Sequence, residues 1–164
     1  NFPSGVTVSG AGKILQVVNS ENTYANTVSS TSYADVSSSS GVVWETSITP
    51  SSSSNKILVN PALLVRSSWN GGADARTLVK TLIKVGAASY VDFNNPPTHN
   101  TGGYDYGSSG LQVRDYHTYT KIYTASSLDI IKFKFQISCA NASATVEVGF
   151  SGSLSTCSLM EIGA

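Results

Sequence analysis

The sequence predicts an all-β protein, an antiparallel β-sandwich of the jelly-roll kind. Three observations predict it. Between Ile130 and Phe150, large apolar residues recur at every second position: Ile131, Phe133, Phe135 and Ile137, then Val146, Val148 and Phe150. A period of two sends alternate side chains to opposite faces of a strand, so each run has one buried face and one wet face. Along the whole chain, about eight runs of strand-forming residues are separated by turn signals, the spacing of a sandwich. The residue choice, with eight Tyr and few Glu or Lys, favours strands and turns over helices.

Residues 1–12 are small, apolar and Gly-containing and read as an arm or linker ahead of a single domain over 13–164. The start, Asn1-Phe2-Pro3, lacks a Met and suggests a processed product or a piece of something longer. Lys13–Val18 is the first strand, followed by a polar turn at Asn19–Asn22. Thr23–Ser40 is rich in Ser and Thr; disorder competes there, but the spaced Tyr24, Val28, Tyr33 and Val36 favour extended edge segments. Gly41–Ile48 is a strand stopped by Pro50 and Ser51–Ser54. Lys56–Val59 follows, Pro61 interrupts, and Ala62–Arg66 resumes, which predicts a bulge or an edge position.

Ser67–Asp74 reads as a loop. Arg76–Val85 fits helical and strand spacing alike, and its β-branched residues decide for a strand. Val91–Gly110 has no regular pattern, and unpatterned stretches of that length within a domain are often functional. Leu111–Tyr123 reads as one long strand, with Val113, Tyr119 and Tyr123 on one side and Tyr116 and Ile122 on the other. The two alternating runs of 130–150 read as a β-hairpin turning at Cys139–Ser143, and Leu154–Ile162 closes the domain.

Composition narrows the function. Net charge is zero and 12% of residues are charged, well under the roughly 25% of ordinary soluble domains. Without a basic stripe, nucleic acid is a poor partner. No apolar run approaches the roughly 20 residues that span a bilayer, and no signal peptide stands at the start, so membrane insertion is not expected. Ser and Thr supply about a quarter of the chain, so solubility rests on hydroxyls and amides.

No catalytic constellation is expected. His99 and His117 share no motif with Asp105 or Asp115, and no GxSxG, HExxH or paired-carboxylate pattern occurs. Asp92 and Asp105 lack the oxygen-rich loop that calcium needs, so neither metal nor cofactor is expected. Cys139 and Cys157 have no metal-ligand spacing; they read as two small buried thiols or as one disulfide. Asn141-Ala142-Ser143 fits a glycosylation sequon, which in a bacterial cytoplasm is only a turn.

The candidate binding residues are His99, Asn100, Tyr104, Asp105 and Tyr106 in the loop Asn94–Gly110. Tyr, Ser, Gly and Asn dominate it, the mix that gives rigid aromatic contact with adaptable hydrogen bonds. Tyr104 and Tyr106 suit stacking on sugar rings, with Asp105, Asn100 and His99 bonding hydroxyls. Packing across a neighbouring subunit is the competing reading. Trp69, beside Gly71-Gly72, belongs to the same candidate set, and its alternative is a lid over the core.

Three segments together resemble a domain recurrent in bacteriophage virion proteins, above all tail fibres and other surface components. They are Gly12–Val18, the strand–turn–strand Ile48–Val59 with its Ser51–Ser54 turn, and the closing Ser158–Ile162. They bracket residues 12–162, while Ser67–Thr124 carries no such motif. The resemblance implies a trimeric, non-enzymatic β-structure on the virion surface. The low charge agrees, as do more apolar strand faces than one small sandwich buries. The expected role is the distal domain of a tail fibre touching a host glycan; the alternative is a capsid decoration protein that stabilises the phage head. The expected partners are copies of the chain itself and other virion proteins.

Overall fold

The computed structural model describes residues 12–69, 76–94 and 112–164, with only the backbone of Trp69. Their regular structure is fourteen strands and one 3-10 turn at Phe150–Gly152. The first half holds β1 (Ile14–Asn22), β2 (Asn26–Val28), β3 (Ala34–Asp35), β4 (Ser37–Ser39), β5 (Val42–Val43), β6 (Glu45–Ile48) and β7 (Lys56–Trp69). The second holds β8 (Thr77–Val85), β9 (Val91–Asp92), β10 (Gln112–Thr118), β11 (Lys121–Thr124), β12 (Ile131–Cys139), β13 (Ala144–Val148) and β14 (Ser155–Ile162). All pairings are antiparallel, so the predicted all-β class holds.

β7 organises the first sheet. Its start, Lys56–Val59, pairs with both β14 and β11, and its end, Val65–Ser68, with both β13 and β10. A strand has two edges, so β14 and β13 follow one another along one edge and β11 and β10 along the other. β1 and β2 continue outward from β14 and β13. The sheet is therefore four long lines, two of them broken at one level: Thr23–Ala25 divides β1 from β2, and Gly149–Leu154 divides β13 from β14. Gly149 makes that break possible. Its φ is +73°, and a Cβ there would collide with the Tyr24 carbonyl.

In the second sheet β12 has β8 along one edge and β6 with β3 along the other; β9 lies outside β8. The small hairpin β4–β5 departs from that edge, pinned where Val36 N donates to Phe135 O and Trp44 N to Val36 O. Joined across their breaks, the strands form eight runs in chain order. The first (β1/β2) pairs with the eighth (β14/β13) and the second (β3/β6) with the seventh (β12). The third (β7) pairs with the sixth (β11/β10) and the fourth (β8) with the fifth (β9).

One core lies between the sheets. Ile57, Val59, Leu63 and Val65 of β7 and Ile131, Phe133, Phe135 and Ile137 of β12 are fully buried within it. Trp44 packs on Phe135 with ring centroids 4.9 Å apart. The alternation along β12 and β13 thus identifies the buried faces as expected.

The expected hairpin does not form. β12 belongs to the second sheet and β13 to the first, so the turn arches across the core instead of joining neighbours. Both apolar faces then meet each other, which covers them without a third element. Four further expectations are corrected. Asn19–Asn22 continues β1, since it pairs with Ser155–Ser158 of β14 and Asn22 is buried. Pro61 sits within a continuous central strand: Ala62 pairs with Thr118 and Val59 with Lys121, so Asn60 and Pro61 face the gap between β10 and β11. A residue without an N–H loses nothing there. Leu111–Tyr123 is likewise two strands broken at Tyr119 and Thr120, and Gly41–Ile48 is two, broken at Trp44. The arm over 1–11 lies outside the described residues.

Candidate functional site

His99, Asn100, Tyr104, Asp105 and Tyr106 lie outside the described residues. The flanks of their segment are well placed. Phe93 is buried and packs edge-on against Phe133 at 5.1 Å, and Lys121 donates to its carbonyl with the ammonium 4.6 Å from the ring. Asn94 is buried too, its Oδ1 accepting from Thr81 N at 2.8 Å. Asn94 therefore anchors the segment and is not part of an exposed loop, contrary to the expected boundary. The chain returns at Gln112, opposite Ser68. Trp69 closes β7, its backbone paired with Ala144, so the expected loop starts later than Ser67.

His117 is buried on the inner face of β10, its ring edge-on to Tyr119 at 5.9 Å. Burial lowers its pKa and the Asp115 charge only partly opposes this, which keeps the imidazole neutral. Among the described residues no group of three or more His, Cys, Asp or Glu could hold a metal, and no helix is long and apolar enough to cross a membrane.

Cys139 and Cys157 are free buried thiols, so the disulfide considered above is not formed. Each serves the interior separately. Cys139, on β12, has its Sγ 3.2 Å from the carbonyl oxygens of both Val28 and Ala144, which share its single proton, tying the arch to β2. Cys157, on β14, is pushed up to about 11 by burial, with the nearby Thr46 hydroxyl opposing that slightly. Thr46 in turn bonds the Ser20 hydroxyl, which accepts from Trp44 Nε1 at 3.2 Å.

Glu161 is the described residue whose chemistry sequence reasoning missed. It is fully buried on the inner face of β14, with no ion pair to it among the described residues. Its Oε1 accepts from Asn55 Nδ2 at 2.6 Å and from the Ser51 N–H and hydroxyl at 2.7 and 2.9 Å; Oε2 accepts from Gln16 Nε2 at 2.6 Å. Burial alone would raise its pKa, but these donors outweigh burial and hold it at about 2. Asn55 Oδ1 also accepts from Ala164 N, so one carboxylate clasps β1, the Ser-rich turn and the end of the last strand. The signal was available. Alternation with Leu159 places Glu161 on the buried face, opposite a turn rich in donors.

The two outer faces differ sharply. On the second sheet, Lys132 pairs with Glu45 at 2.7 Å, Lys134 with Asp35 at 2.9 Å and Lys80 with Asp92 at 2.9 Å. Tyr90 donates to Glu45, and the Lys84 and Lys134 ammoniums lie 5.1 and 4.5 Å from its ring centroid. Burial resists charge on Glu45, yet the bonds from Lys132 and Tyr90 hold it below its ordinary value; Tyr90 is raised by burial and by Glu45. On the first sheet, cross-strand neighbours Val17, Met160, Leu58 and Ile122 form one apolar row over all four lines. Charge returns further along, where Arg66 pairs with Glu147 and stacks with Arg114 on Phe150. At the near end a groove of about 430 Å³ opens between Lys13, Lys56, Ile122 and the stretch Ile162–Ala164.

Compared with known proteins, the chain matches no family model and no curated protein.

Proposed function

We propose that the chain is a non-enzymatic structural protein of a phage virion, a homotrimeric jelly-roll sandwich forming the distal domain of a tail fibre that contacts the host surface. The nested pairing of first run with eighth, second with seventh, third with sixth and fourth with fifth supports the jelly-roll reading. A long antiparallel ribbon rolled on itself pairs in that order.

The observation that carries the functional reading is polarity. Gly12 and Ala164 emerge together at the Lys56 end of β7, where Gly163 N donates to Lys13 O at 2.8 Å. The segment rich in Tyr, Gly and Asn re-enters at Gln112, beside Ser68 at the other end. β7 is 14 residues long, so these poles stand about 40 Å apart at about 3.3 Å per residue. Attachment through the Lys56 pole would leave the Ser68 pole to touch a target. The three bracketing segments and the low charge agree with this role.

Tyr104 and Tyr106 are the proposed contacts, each stacking on a host sugar for about 1–2 kcal/mol. Such a site is weak alone, and a trimer presents three copies for avidity. The test is Tyr104→Ala with Tyr106→Ala in the phage, measuring particle assembly and adsorption to host cells. Adsorption falls while assembly stays intact if the reading is right. Normal adsorption with fragile heads refutes it and points to capsid decoration.

A further inference from the structure

We infer that copies of this chain meet through the outer face of the first sheet, along the nearly uncharged belt between Lys56 and Leu64. The inference rests on the homotrimer proposed above and names the surface that makes it. Val17, Met160, Leu58 and Ile122 lie side by side across the belt, and Val17 and Ile122 are 57% and 52% exposed. Farther along β7, Leu64 stands beside Tyr116, itself 53% exposed. The outward positions between these rows are Asn19, Ser158, Asn60, Thr156, Ala62, Thr118 and Glu21, of which only Glu21, on the outermost strand β1, is charged; Lys56 lies at the belt's end.

Composition does not account for this belt, because the other sheet carries a lattice of paired lysines and carboxylates on its outer face. The second sheet's outer face is thus laced with charge where this stretch of the first sheet's has almost none.

Dimensions select the occupant. Four strands at about 4.8 Å and nine residues at about 3.3 Å give a belt about 19 Å wide and 30 Å long, or about 600 Å². That is about what each partner contributes to the smallest stable interfaces. Three such faces around a threefold axis would bound a triangular prism whose faces lie about 5.5 Å from the axis, close to half the roughly 10 Å spacing of packed sheets. Identical flat faces thus close a cyclic assembly with side chains filling its centre.

The test compares the wild-type chain with Val17→Lys plus Ile122→Lys, and with a control that adds the same charge elsewhere, Val42→Lys plus Leu128→Lys. All four positions are exposed, so the fold tolerates the change, which thermal unfolding verifies. Mass is read by light scattering at micromolar concentration. A threefold drop in mass for the belt variant, with the control still trimeric, is the expected result. A belt variant that stays trimeric overturns the inference and leaves the trimer standing. Dissociation of both variants also overturns it. A monomeric wild type removes the trimer itself, and the inference with it.

Discussion

Replacing Glu161 by Gln tests the buried clasp most directly. The volume is unchanged, yet the amide can no longer accept at both ends. One oxygen becomes an NH2 group, which must face either Gln16 Nε2 or the donors of Ser51 and Asn55. A buried donor without a partner costs about 1–3 kcal/mol, and bonds to a charged acceptor are worth about 1.5–3 kcal/mol each. The donors share one carboxylate and do not add independently, so the loss at neutral pH is about 3 kcal/mol.

The pH dependence has a definite sign. Glu161 titrates at about 2 when folded, against an ordinary 4.5. Its contribution is therefore complete above the ordinary value and fades as pH falls toward the folded one, amounting to at most about 3 kcal/mol. Urea unfolding at neutral pH and at several points down to about pH 3 measures this. Other carboxylates titrate in the same range, so the relevant quantity is the difference between wild type and Glu161→Gln. That difference is largest at neutral pH and narrows on acidification. A gap below about 0.5 kcal/mol at neutral pH, or one that does not narrow, refutes the clasp.

Phe135→Ala removes a fully buried ring that packs on Trp44, and should cost about 3–5 kcal/mol in reversible denaturation; a loss below about 1 kcal/mol means the ring does not sit in the core. A thiol reagent at pH 8 should label neither Cys139 nor Cys157 in the folded protein and both after unfolding, since both are buried and burial raises each pKa. Fast labelling of folded protein refutes that burial. Gly149→Ala forces a Cβ against the Tyr24 carbonyl at positive φ and should destabilise by about 1–3 kcal/mol, whereas Gly41→Ala, with open space around its Cβ position, should cost less; equal losses in thermal unfolding would contradict that difference.

The all-β class and the two faces of the main strands were legible in the residues alone. Alternation is written into each strand, because successive side chains point to opposite sides whatever the neighbour. Phe133 and Phe135 were therefore readable as core, Tyr116 and Ile122 as sharing the face opposite Tyr119 and Tyr123, and Thr77–Val85 as a strand. The strands' partners were decided only by the tertiary structure. Backbone donors and acceptors are the same at every residue, so nothing local distinguishes a hairpin from an arch, and β12 and β13 went to different sheets. Pro61 read as an edge signal because Pro lacks one donor, but only the assembled sheet shows that the break between β10 and β11 falls opposite it. Glu161 lies in the closing strand with no local sign of its partners; its burial as a carboxylate requires Gln16, Ser51 and Asn55, which converge on it from distant parts of the chain. The belt of Val17, Met160, Leu58 and Ile122 appears in no single strand, for it exists only in the register that lays four of them side by side.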